Sequence, residues 1–289
     1  MSIVAKAISF KSQHGTTRMR VVWPFVLLAF IFFVWYVRTP LWNYLKNLEF
    51  IFLMLIASYL VILSLSLFLL KKDSKESLRQ VFKIRTRTQP LLSVSFAILF
   101  QALWFFFFAL FGGKLTLSAP PGISPYSEYV PYSVGLAFGL YIAFILFGAF
   151  SEEVTFRCYV QSRFAQAFGN GVGVVAGAVF FALQHIQFFV SSWILQFLQN
   201  QFVYVLFTGI FVGLYFIRTG KDVWSVFAFH GTLDLCNVLL PVASSATLQC
   251  SSPAASIVSF VILIILLQLW KKENEKPKST NKTSFVWQF

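Results

Sequence analysis

The sequence predicts an all-α protein: a polytopic membrane helical bundle with about eight transmembrane helices. Two observations predict it. Hydrophobic residues make up 58% of the 289, aromatics 19% and charged residues only 11%, against about 25% charged in an average soluble domain. Apolar runs of roughly 20 residues, long enough to cross the bilayer core as a helix, recur along the chain. They do not alternate apolar with polar, as the strands of a membrane barrel do.

In chain order the spans are expected at 21–37, 50–70, 91–111, 134–156, 172–190, 197–217, 222–240 and 254–270. Residues 21–270 then form the bundle, and 1–20 and 271–289 are basic tails. Lys6, Lys11, Arg18 and Arg20 precede the first span in the manner of a signal peptide. Its apolar run is longer than an h-region and no small-residue cleavage site follows, so it reads as a retained anchor.

The net charge of +13 is distributed as membrane topology requires, not as nucleic-acid binding requires. Basic residues gather in the N-terminal tail, in KKDSKESLRQVFKIRTR at 71–87, at Arg157 and Arg163, at Arg218 and Lys221, and after Trp270. With eight spans all of these fall on one side. The opposite loops hold Arg38, Lys46 and Lys114 and no basic residue in the last two. The positive-inside rule therefore puts both termini in the cytoplasm and makes this a multi-pass integral membrane protein. The 71–87 segment reads as a topology signal in contact with anionic lipid, and nucleic acid is not expected as a partner.

Cys158, Cys236 and Cys250 have no metal-binding spacing, and only Cys250 falls in an expected outer loop, so no disulfide framework is expected. Gly135 and Gly139, Gly173 and Gly177, and Gly209 and Gly213 are GxxxG pairs that permit close helix approach.

The informative residues are the ionisable ones at membrane depth, which are costly unless paired or hydrated. Seven of ten acidic residues lie in tails, loops or span ends, leaving Glu152, Glu153 and Asp234; with them stand His185 and His230. Glu153 and Arg157, four apart, can pair on one helix face, while Glu152 is turned about 100° away and lacks a local partner. His230 and Asp234 share a face by the same spacing, as do Phe181 and His185. Each taken alone has a packing explanation: a bundle-stabilising ion pair, a hydrogen-bonded histidine, an interhelical clasp. Three helices each carrying polar groups into the bilayer are explained more economically by convergence.

Glu152-Glu153-x-x-x-Arg157, Phe181-x-x-x-His185 and His230-x-x-x-Asp234, in that order on three spans, resemble the three-motif pattern of the CPBP intramembrane proteases. This abortive-infection-like group contains the type II CAAX prenyl endopeptidases. The resemblance implies a core at about 134–240 and an active site formed by Glu152, Glu153, Arg157, His185, His230 and Asp234. It implies hydrolysis of a peptide bond in a membrane-associated or prenylated protein or peptide. Glu152 would act as general base, His185 would orient or polarise the water, and His230 would face the carbonyl oxygen.

Asp234 stands where the family pattern takes Asn or Asp. A charged carboxylate there would repel an oxyanion, so Asp234 is either protonated or acts through His230, and the second role is favoured. Glu152, His185, His230 and Asp234 also offer the N and O ligands of a zinc site. The HExxH helix that usually delivers such ligands is absent, so the cofactor stays open between a divalent metal such as zinc and none. Two other classes use similar clusters: a non-catalytic membrane factor or immunity protein, and a proton-coupled transporter. The transporter reading is weakened by the lack of clear inverted repeats.

Overall fold

The computed structural model describes residues 3–45, 47–73, 78–84, 88–112, 116–117, 133–186, 198, 202–239, 242–243 and 248–274. Among these the chain is helical. The elements are α1 (Ile3–Tyr44), α2 (Leu48–Asp73), the single turn α3 (Leu78–Val81), α4 (Thr88–Leu110) and α5 (Val134–Glu153). A π-helical segment (Val154–Gln161) follows, then α6 (Ser162–Phe168), α7 (Asn170–Gln184), α8 (Phe202–Arg218), α9 (Val223–Leu239) and α10 (Leu248–Asn274). One antiparallel pair of two residues each joins β1 (Thr116–Leu117) to β2 (Val242–Ala243).

All eight expected spans coincide with helices, but their lengths differ. Five are long and apolar enough to cross a membrane: Val21–Leu41, Leu48–Lys72, Thr88–Leu110, Val134–Phe168 and Pro253–Trp270. α7 has 15 residues, and α8 and α9 have 17 each. At 1.5 Å per residue they reach about 22–26 Å, short of the roughly 30 Å of hydrocarbon. The expectations for 187–190, 197, 199–201 and 240 lie outside the described residues. Large apolar side chains left exposed on α1, α2, α4, α5 and α10, among them Phe33, Phe68, Phe106, Leu136 and Leu269, are the lipid-facing surface of an integral membrane protein.

α2 packs on α5, α4 on α9 and α10, and α7 on α8, around an aromatic-rich core that includes Phe100, Phe156, Tyr159, Phe181, Phe211, Tyr215, Phe229 and Phe260. Small residues set the closest approach. A Cβ on Gly209 would lie 2.9 Å from the Cα of Ala178, and one on Gly173 would lie 2.7 Å from the carbonyl oxygen of Gln161. Gly135 and Gly139 behave differently from the other GxxxG pairs: both are exposed, with nothing within 4 Å of a built Cβ.

Two acids at span ends serve as caps. Glu49 accepts the Ser133 N–H at 2.8 Å, tying the start of α2 to the start of α5. Asp222 accepts from the Trp224 N–H at 3.1 Å and the Ser225 hydroxyl at 2.9 Å, closing the N-terminus of α9.

Candidate active site

The glutamate pair lies where α5 passes into the π-helical segment. Such wider turns are rare and occur preferentially at functional sites. Here all eight residues from Val154 to Gln161 are buried. The turn is stitched to its neighbours by the Ser66–Thr155 hydroxyl bond at 2.8 Å and by Ser162 Oγ, which donates to the Arg157 carbonyl at 3.1 Å.

Glu153 and Arg157 are fully buried, with Arg157 Nε donating to Glu153 Oε2 at 3.0 Å. Arg157 was counted above among the basic residues flanking the spans, but it is a core residue instead, because the helix continues through it to Phe168. The other oxygen of Glu153 is bonded to His230 Nδ1 at 2.8 Å. Glu153 thus bridges its own helix to α9.

Glu152 points the other way, as its helical offset requires. Its Oε1 accepts the Tyr59 hydroxyl at 2.7 Å and its Oε2 lies 3.8 Å from His230 Nε2. Asp234 Oδ2 lies 3.4 Å from the same nitrogen. The His230 ring is therefore held from behind by Glu153 and presents Nε2 between Glu152 and Asp234.

His185 lies at the end of α7, not within it. α7 stops at Gln184, and His185 is its C-cap, with its N–H bonded to the Ala182 carbonyl at 3.2 Å. Its Nδ1 lies 2.8 Å from the Phe181 carbonyl. A carbonyl only accepts, so Nδ1 carries the hydrogen and Nε2 is the acceptor of the neutral ring. The Phe181 ring makes edge contacts with both histidines, at 4.9 Å to His185 and 5.5 Å to His230, and takes the Arg157 guanidinium on its face at 5.0 Å.

Glu152, His185, His230 and Asp234 line one cavity of about 270 Å³. Its remaining wall is the α5 face of Tyr141, Phe144, Ile145, Gly148 and Ala149, with Tyr59 of α2. Glu153 and Arg157 stand behind this wall. Tyr59 is the member of the cluster that sequence reasoning missed; a phenol in the apolar run of α2 was the available signal. Among the described residues no group of three or more His, Cys, Asp or Glu side chains is arranged to hold a metal. Cys158 and Cys236 form no disulfide among the described residues.

Helical architecture and a lipid-facing surface define a polytopic membrane protein, with a cavity lined by ionisable side chains inside the bundle. Residues 134–236 match the family model described as "Type II CAAX prenyl endopeptidase Rce1-like", which supports the resemblance of this part of the chain to the CPBP proteases. The match covers a little over a third of the chain and includes all three motifs. No curated protein and no solved structure matches the chain.

Proposed function

We propose that the protein is an intramembrane endopeptidase that cleaves a membrane-associated substrate, a prenylated CAAX segment in the first instance, with water activated by Glu152. The observation that carries this reading is the convergence of Glu152, His185 and His230, from three different elements, on one cavity. The space exceeds the roughly 30 Å³ share of one water several-fold, leaving room for part of a peptide.

Glu152 Oε2 takes a proton from water as the oxygen attacks the scissile carbonyl, and returns it to the leaving amine. His185 accepts a second hydrogen bond from that water at Nε2 and so directs its lone pair. His230, anchored through Nδ1 by the Glu153–Arg157 pair, turns Nε2 toward the developing oxyanion. With Nδ1–H given to Glu153, Nε2 donates in the imidazolium form. Asp234 holds that ring and does not meet the oxyanion itself. No step in this scheme runs through a metal.

All eight helices are taken to cross the membrane, the shorter α7, α8 and α9 by local thinning of the bilayer around them. The charge asymmetry supports cytoplasmic termini and a 71–87 loop resting on anionic headgroups; nucleic acid has no part in this reading.

The test is cleavage of a farnesylated CAAX peptide by purified protein in liposomes, read by mass spectrometry. Wild type yields the truncated peptide, and Glu152→Gln loses about 10²–10⁴-fold in turnover while melting as wild type does. A Glu152→Gln protein that still cleaved would refute the assignment. A wild type without cleavage, together with membrane peptides unchanged by Glu152→Gln in cells, would favour the non-catalytic factor.

A further inference from the structure

We propose that Tyr59, on α2 and outside the matched segment, is a positioning residue for Glu152: its phenol holds Oε1, so that Oε2 is the oxygen presented to the reacting water. The proposal rests on the assignment of Glu152 as the base. A carboxylate turns about a broad, two-fold torsion, and its two oxygens are interchangeable until one is engaged. The Tyr59 hydroxyl engages Oε1 at 2.7 Å, a short bond of the charge-assisted kind. Oε2 is then the oxygen left facing His230 Nε2, at 3.8 Å.

Tyr59 is itself fixed. The Trp35 ring meets it edge-on at 5.5 Å and the Phe144 ring lies at 5.9 Å. Gly148 supplies the space for its ring, since a Cβ there would stand 3.2 Å from Cε2. Ser151 Oγ donates to the Tyr59 carbonyl at 3.2 Å, fastening α2 to α5 one residue before Glu152. The same Trp35 indole donates Nε1–H to the Gln184 carbonyl at 3.1 Å. One aromatic brace from α1 thus steadies both the holder of Glu152 and the end of the helix that carries His185.

A purely structural account has Glu152 serving only to satisfy a buried phenol. Tyr59→Phe separates the two, because it keeps the ring and its packing and removes only the hydroxyl. Loss of a hydrogen bond to a charged group predicts a kcat about tenfold to a hundredfold lower, with KM within about twofold, since the orientation of the base matters in the transition state and not in binding. Ser151→Ala, which loosens the same helix contact without touching the phenol, should leave kcat unchanged.

Glu152→Gln is measured beside them on the farnesylated peptide. If it is inactive and Tyr59→Phe retains full kcat, the positioning role is overturned and the base assignment stands. If it is active, the base assignment fails.

A second measurement needs no substrate: the rate at which dicyclohexylcarbodiimide labels Glu152, read by peptide mass spectrometry. Released from the phenol, Oε1 should react several-fold faster in Tyr59→Phe and at the wild-type rate in Ser151→Ala. Equal rates in wild type and Tyr59→Phe would overturn the proposal whatever the peptide assay gives.

Discussion

Replacing Glu153 by Gln tests whether the ion pair behind the cavity is a structural support. Both side chains of the Glu153–Arg157 pair are 0% exposed and the contact is 3.0 Å. Neither Nη atom of Arg157 has a hydrogen-bond partner, so Glu153 is the hydrogen-bonded counter-charge among the described residues. Removing one member of such a pair leaves an uncompensated buried charge and costs about 3–5 kcal/mol. At about 2–4 °C per kcal/mol the unfolding midpoint falls by roughly 10 °C. Replacing the whole buried pair by apolar groups is nearly neutral, so Glu153→Gln with Arg157→Met should recover most of the loss. It should not recover turnover, because the 2.8 Å bond that orients His230 is also gone. Differential scanning fluorimetry in detergent, using the eight tryptophans, reads the midpoints. A Glu153→Gln midpoint within about 2 °C of wild type, or a double variant as unstable as the two single losses combined, would refute the reasoning.

Cysteines replacing His185 and His230 should be joined by a short bifunctional reagent, since both histidines line one cavity and both rings touch Phe181; no crosslink would separate the two helices. Gly209→Leu should lower the unfolding midpoint by several degrees, because a Cβ there already meets Ala178 at 2.9 Å and overpacking costs about 1–3 kcal/mol; an unchanged midpoint would mean that α7 and α8 do not close there. Turnover should survive 1,10-phenanthroline and EDTA, and its loss with recovery on added zinc would restore the metal reading.

What was legible in the sequence follows one physical rule: spacing within a helix fixes which side chains share a face. Glu153 with Arg157 and His230 with Asp234 are four residues apart, and both pairs are in contact. The offset of Glu152 from Glu153 likewise sends one carboxylate to Tyr59 and the other to Arg157, while both reach His230, at different ring nitrogens. Contacts across the bundle were not legible. Tyr59 and Glu152 are separated by 93 residues, and nothing in the periodicity of α2 distinguishes this tyrosine from a packing one. GxxxG spacing marks where helices can approach but not whether a neighbour is there, which is why Gly209 packs tightly and Gly135 does not. Helix ends were also hidden, because hydropathy does not register a stop. α7 ends at Gln184 amid apolar sequence, and its terminal carbonyl is taken by Trp35 from another helix.

Three carboxylates inside the helical bundle need an explanation beyond their pairing, and their graded exposure provides one. Glu153 is sealed at 0%, Glu152 is 8% exposed and Asp234 35%, so burial decreases from the back of the site toward the cavity. A charge with fixed partners can be sealed without losing its state, whereas one that must gain and lose a proton needs contact with water. On the proposed mechanism the static pair stands behind and Glu152, which exchanges the proton, stands in front beside Asp234, with the His230 ring between them, Nδ1 on Glu153 and Nε2 toward Glu152 and Asp234. The side-chain hydrogen bond to the carboxylate on the cavity side comes from outside the matched segment: Tyr59 is on α2 and is braced by α1. The first two helices, though outside residues 134–236, are on this view part of the site and not merely its anchor in the membrane.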